Sequence, residues 1–198
     1  MYNGGGDSWR KNKRTELIAT RHSVPAPERK KIADEVALAL DGLIDIGSDT
    51  VVSLYWPIHG ELNLREWMLS TYRRGARIAL PVVVAKSVAL VFREWTPECK
   101  MERGIWNIPV PSETAIVTPT VVISPLVGYD PECFRLGYGG GFFDRTLANL
   151  LPRPYTIGVG HPCSAIATIH PQPHDIPMDV VVTGKNSVVH HSNHELSH

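Results

Sequence analysis

The residues with the most chemical content lie between Arg135 and Arg145, where the chain runs RLGYGGGFFDR. The segment follows an apolar run, Val121 to Ser124, and the turn PLVGYDPECF, and it leads into a helical pattern of Phe143, Leu147 and Leu150. Strand, glycine loop and helix in that order suit phosphate. Gly137, Gly139, Gly140 and Gly141 allow positive φ and close backbone approach, so that successive N–H groups can converge on phosphate oxygens at a helix start. Arg135 and Arg145 can neutralise the charge through guanidinium forks, and Asp144 stands where a carboxylate could hold Mg²⁺ bridging the phosphates. The segment is neither a Walker loop, which needs GKS or GKT, nor a GxGxxG fingerprint with an acid about twenty residues on. The plainer alternative is a tight turn whose Asp144 caps its helix.

The elements around this segment follow from periodicity. Ile32, Val36, Leu40 and Leu43 recur at helical spacing from Pro27, with Gly42 near the stop, which predicts an amphipathic helix. Arg10 to Arg21 carries Leu17 and Ile18 among five basic residues and predicts a shorter helix with a cationic face. Thr50 to Trp56 predicts a buried strand, and NLREWMLSTYRRG a helix started by a capping box of Asn63 and Glu66 and stopped by Gly75. Further strands are predicted at Arg77 to Val84, Val88 to Trp95, Val121 to Ser124, Tyr155 to Val159 and Val180 to Thr183. Several are apolar throughout, as strands buried on both faces are. The expected fold is a single-domain, Rossmann-like, three-layer α/β fold with a mostly parallel sheet covered by helices. Its ligands belong at the carboxyl ends of strands.

Composition narrows the class. The 198 residues hold 20 basic and 20 acidic side chains, which gives no basic field for nucleic acid or an anionic membrane surface. Cys99, Cys133 and Cys163 match neither a disulfide framework nor a CxxC knuckle, and the apolar runs are too short to span a bilayer. A soluble protein of the reducing cytoplasm is expected, a monomer or weak homo-oligomer. The polar ends, residues 1–9 and 190–198, are expected to be flexible. His161, Cys163, His170 and His174 have no common zinc spacing and are expected to form a loop edging the site.

RLGYGGGFFDR resembles the RLGYGGGYYDR signature of the 5-formyltetrahydrofolate cyclo-ligase family, differing only by Phe for Tyr. The resemblance extends over roughly Arg10 to Val189, taking in the basic helix, GEL, ALPVV, LVFREW, WNIP and HDIPMDVVVT. It implies one such domain over residues 10–189. It also implies MgATP-dependent closure of 5-formyltetrahydrofolate to 5,10-methenyltetrahydrofolate, with ADP and phosphate released. In that reaction the formyl oxygen attacks the γ-phosphate, the second folate nitrogen closes on the activated carbon, and phosphate leaves. No protein nucleophile is needed, only alignment and charge stabilisation.

By the same resemblance Arg10, Lys11, Lys13 and Arg14 are expected to contact ATP together with Arg135, the four glycines, Tyr138, Phe142 and Phe143. Glu61, in His59-Gly60-Glu61, matches the acid that holds the folate. Trp106, in GIWNIP, matches a folate-pocket position, with ordinary core packing as its alternative. Tyr138 and Phe142 are expected to touch the folate, Arg135, Tyr138 and Arg145 to act on the transferring phosphoryl group, and Asp175 to join Asp144 at the metal. Phe142 and Phe143 lack the hydroxyls of the usual tyrosine pair, and HPCSA replaces a glutamine-containing stretch. The phenylalanine pair keeps open a second possibility, a non-catalytic or regulatory nucleotide- or folate-binding protein on the same fold.

Overall fold

The structure, a computed structural model, describes residues 4–184 and 186–192. Two helices come first, α1 (Gly4–Ser23) and α2 (Ala26–Leu43). The chain then alternates through β1 (Val51–Ser53), α3 (Arg65–Arg73), β2 (Arg77–Val82), β3 (Val91–Trp95) and a hairpin of β4 (Met101–Arg103) and β5 (Pro109–Pro111). It continues through β6 (Val121–Pro125), a short pair β7 (Gly128–Tyr129) and β8 (Arg135–Leu136), α4 (Phe142–Leu147), β9 (Tyr155–Val159), β10 (Val180–Gly184) and β11 (Ser187–His190).

One seven-stranded sheet runs in the order β11-β10-β9-β6-β1-β2-β3. Its inner pairs are parallel, and only β3 and β11 at the two edges run antiparallel. The expected mostly parallel sheet is therefore present. Alternate residues of its strands enter opposite cores, which explains their continuous apolarity. Val52, Ile123, Ile157, Val180 and Val182 pack with Ile32, Val36 and Leu40 of α2 and Trp67 and Met68 of α3. Ala79, Val122 and Val181 face the other way, with Leu147 of α4 and Met178. α1 packs separately, through Leu17, on Val127, Leu136 and Ile169. Its foothold is Gly128, where a Cβ would lie 2.7 Å from a Leu17 methyl.

α1 begins at Gly4, within the stretch expected to be flexible, and there Trp9 packs edge-on against His170 at 4.5 Å while Arg10 is buried. His190 likewise belongs to β11 and His191 N–H donates to Asp179 O; residues 1–3 and 193–198 lie outside the described residues. No capping box forms: the N-cap of α3 is Leu64, Asn63 Oδ1 accepts from Arg65 N–H at 3.2 Å, and Glu66 reaches Lys30 instead. Among the described residues no helix is long and apolar enough to cross a membrane.

Candidate functional site

The carboxyl ends of β1, β6 and β9 lead to the loops that carry the chemical residues. The glycine loop turns through two left-handed residues, Gly139 (φ 96°) and Gly141 (φ 61°), the second being the N-cap of α4. α4 has six residues, so its dipole is small and side-chain charge must carry any anion. Three guanidiniums supply that charge. Arg14 lies 3.2 Å from where a Cβ of Gly139 would stand, and its Nε donates to Gly137 O at 2.7 Å. Arg135 lies 3.1 Å from the corresponding point on Gly137, and Arg145 3.5 Å from that on Gly141. Arg135 Nε and Arg145 Nη1 are buried and have no hydrogen-bond acceptor among the described residues. Donors in that state await a partner.

Asp144 does not cap its helix. Its Oδ2 lies 3.0 Å from Arg135 Nη2 and its Oδ1 accepts from Ile176 N–H at 3.2 Å. Asp175 is likewise engaged: Arg10 Nη2 contacts its Oδ2, and Gln172 N–H donates to the same oxygen. Burial disfavours the Asp175 carboxylate, but these donors outweigh it and hold the group below its usual range. Burial pushes the Arg135 guanidinium down, with the two aspartates opposing the shift. Arg10 also donates to Ile169 O and His170 O, so α1 is tied to the loop before Asp175. Lys13 pairs with Glu16 and Lys11 is exposed, and neither touches the glycine loop among the described residues.

Glu61 sits on a turn whose His59 (φ 47°) and Gly60 (φ 77°) are both left-handed. Its Oε2 accepts from Ile58 N–H at 2.8 Å and its Oε1 from the Tyr138 hydroxyl at 2.9 Å. Burial pushes the Glu61 carboxyl up to about 7, against the stabilising pull of Ile58 N–H, Tyr138 and Arg21. Tyr138 is pushed up as well, by burial and by Glu61. A groove of about 220 Å³ runs from Glu61 along Arg29, Lys30 and Asp34 of α2 to Glu66. The HPCSA turn edges this side, with the His161 ring bonded to Gly60 O at 2.9 Å. A second cavity, lined by Arg153, Tyr155 and Asp179, opens at the amino end of β9, and Asp179 there is engaged by Arg153 and Thr156.

Trp106 is not core. It is 63% exposed, stands at φ 57° on the β4–β5 hairpin, and meets the Phe142 ring edge-on at 5.5 Å. Arg145 Cζ lies over the Phe142 ring, 5.9 Å from its centroid. The two phenylalanines, both half-buried, divide: Phe142 meets Trp106, while Phe143 packs on the core beside Leu147 with Arg135 5.2 Å over its ring.

Arg21 was absent from the expected site, since an arginine closing a charged helix reads as solvated. It is 2% exposed and donates to Tyr138 Oη at 2.6 Å and His59 O at 3.0 Å. Its only sequence signal is the neighbouring Leu17, which marks α1 as a docked helix.

The sequence model of the 5-formyltetrahydrofolate cyclo-ligase family matches residues 7–184. A 5-formyltetrahydrofolate cyclo-ligase of Mycolicibacterium smegmatis is 31% identical over 185 residues, 89% of this chain and 94% of that protein. The Escherichia coli protein of the same name is 29% identical over 175 residues, 84% and 96%. The NMR structure of Aquifex aeolicus 5,10-methenyltetrahydrofolate synthetase superposes with a TM-score of 0.80 at 25% identity, covering 96% of each chain.

Proposed function

The chain belongs to the 5-formyltetrahydrofolate cyclo-ligase family, and from that premise we propose that it closes 5-formyltetrahydrofolate to 5,10-methenyltetrahydrofolate with ATP, in the cytoplasm, releasing ADP and phosphate. One observation carries this. Tyr138 belongs to the glycine loop by its backbone and to Glu61 by its hydroxyl, so the phosphate cradle and the candidate folate acid share a residue. Two ligands bound on either side of it would meet.

In this reaction the formyl oxygen takes the γ-phosphoryl group and ADP leaves; the second folate nitrogen then closes on the activated carbon, and phosphate departs with that oxygen. The chain's work is alignment and charge. Arg14, Arg135 and Arg145 surround the loop, and the free N–H groups of Arg135 and Arg145 suit the oxygens of a transferring phosphoryl group. Glu61 offers carboxylate oxygens to ring N–H donors of the folate, and Trp106 with Phe142 offers an aromatic wall.

The metal fits less well. Asp144 and Asp175, the two carboxylates expected at the metal, each answer to an arginine. In our proposal these two carboxylates hold the guanidiniums in place, and any Mg²⁺ belongs to the nucleotide's phosphates.

The test is an incubation with Mg²⁺, ATP and 5-formyltetrahydrofolate, followed by near-ultraviolet absorbance and ADP release. Both should rise together. Binding of both ligands without either rise would favour the non-catalytic alternative, for which the missing hydroxyl of Phe142 is the motive.

A further inference from the structure

We infer that Arg21 is a positioning residue of the folate site: its guanidinium fixes the Tyr138 hydroxyl as a donor to Glu61 and so decides which carboxylate lone pairs remain for the substrate. The inference deepens the proposed function and rests on it.

A tyrosine hydroxyl has one proton to donate and an oxygen that accepts. Arg21 Nη2, at 2.6 Å, occupies the oxygen. The proton must then point elsewhere, and Glu61 Oε1 is the acceptor in reach, at 2.9 Å. Ile58 N–H fills one lone pair of the other oxygen. Glu61 is left with one free acceptor direction on each oxygen, which suits a ring edge bearing two adjacent N–H donors, as a reduced pterin does. Without Arg21 the hydroxyl could turn and accept, and that selection would be lost.

The same guanidinium joins three loops. Nε donates to His59 O beside Glu61, Nη1 reaches Leu126 O after β6 at 3.5 Å, and Nη2 holds Tyr138 in the glycine loop. A planar fork spans three acceptors in this way, whereas an ammonium is a point charge on a flexible stem. The last turn of α1 thereby sets the distance between folate acid and phosphate cradle.

Other charged and titratable groups face Glu61. Lys30 is paired with Asp34 and Glu66, Arg29 donates to Val24 O, Tyr55 donates to Leu62 O, and His161 is bonded to Gly60 O. Arg21 is the cation that acts on the carboxylate through a bonded hydroxyl. Its loss should make Glu61 harder to ionise, so that folate binding needs higher pH.

The experiment is calorimetric binding of 5-formyltetrahydrofolate alone, from about pH 6 to pH 9, to wild type, Arg21→Gln, Arg21→Lys and Tyr138→Phe. Wild-type affinity should rise through about pH 7 as Glu61 ionises. Arg21→Gln should bind roughly tenfold more weakly at neutral pH, with the rise displaced to higher pH and part of the loss recovered there. Arg21→Lys keeps the charge, so the rise should stay in place while affinity drops at every pH. Tyr138→Phe should displace the rise, and adding Arg21→Gln to it should change little more. Circular dichroism and the urea midpoint of each variant, measured alongside, check folding.

An Arg21→Gln protein that folds and keeps the wild-type profile overturns the inference. Should that variant fail to fold, additive losses in the Arg21→Lys and Tyr138→Phe cycle overturn it instead, and non-additive losses support it. Wild type that binds no folate overturns the proposed function and this inference with it. Wild type that binds, with variants unchanged, overturns the inference alone.

Discussion

Replacing Glu61 by Gln should make the stability of the ligand-free protein less sensitive to pH. The carboxyl has a folded-state value near 7 against an ordinary 4.5. The folded state thus holds this proton more tightly than the unfolded state. Its stabilising contribution is complete below pH 4.5 and is lost as pH rises through 7. A difference of about 2.5 corresponds to about 3.4 kcal/mol as an upper limit, and the partial solvent access of Glu61 reduces it to about 1–2 kcal/mol. Gln carries no such dependence, though its amide meets a Tyr138 oxygen already taken by Arg21 and forfeits a hydrogen bond, about 1 kcal/mol at all pH values. Urea denaturation of both proteins at about pH 5 and pH 8 measures the change. Gln should be the less stable at the lower pH and equal to or above wild type at the higher. A mutational difference that is the same at both would refute the buried-carboxylate account, whatever happens to folate binding.

Three further outcomes follow from the site geometry. Asp144→Asn should cost about 3–5 kcal/mol in urea denaturation, because it leaves the Arg135 charge buried with its ion pair broken; a loss under about 1 kcal/mol would return Asp144 to an ordinary helix position. Gly140→Ala should destabilise by about 1 kcal/mol, since its Cβ would lie 2.5 Å from the Phe142 ring. The cost should vanish in a Phe142→Ala background, and an unchanged cost there would exclude this clash. Trp106→Ala should leave stability within about 0.5 kcal/mol while raising the KM for folate several-fold, and an unchanged KM would remove the indole from the substrate wall.

Much of the fold is legible in the sequence because burial imposes periodicity. α2 appears where Ile32, Val36 and Leu40 predict it, and β9 has the bounds its apolar run predicts. The β4–β5 hairpin is hidden: Met101-Glu102-Arg103 is mostly polar, and Pro109 and Pro111 remove ladder donors from β5. The glycine loop shows its chemistry in its residues, but not that Gly140 has its space taken by Phe142 instead of a positive φ. Asp144 illustrates a limit of another kind, since the residue type suits a cap, a metal or an ion pair equally, and nothing local in the sequence reports the ion pair with Arg135 that the fold supplies. Arg21 is the strongest case. Its acceptors lie 38, 105 and 117 residues away, on three loops, and no local pattern reports such separations.

The clasp between Arg10 and Asp175 joins positions 165 residues apart. During synthesis α1 leaves the ribosome early, and its partners at Ile169, His170 and Asp175 follow only after five of the seven strands of the large sheet have been made. Until then α1 has only part of its docking surface, Val127 and Leu136 among it, and an amphipathic helix has little stability by itself. Arg14 and Arg21 reach their places only when it docks. Catalytic competence should therefore arrive late, so that a partly made chain would have the glycine loop and Glu61 without the helix that ties the two together.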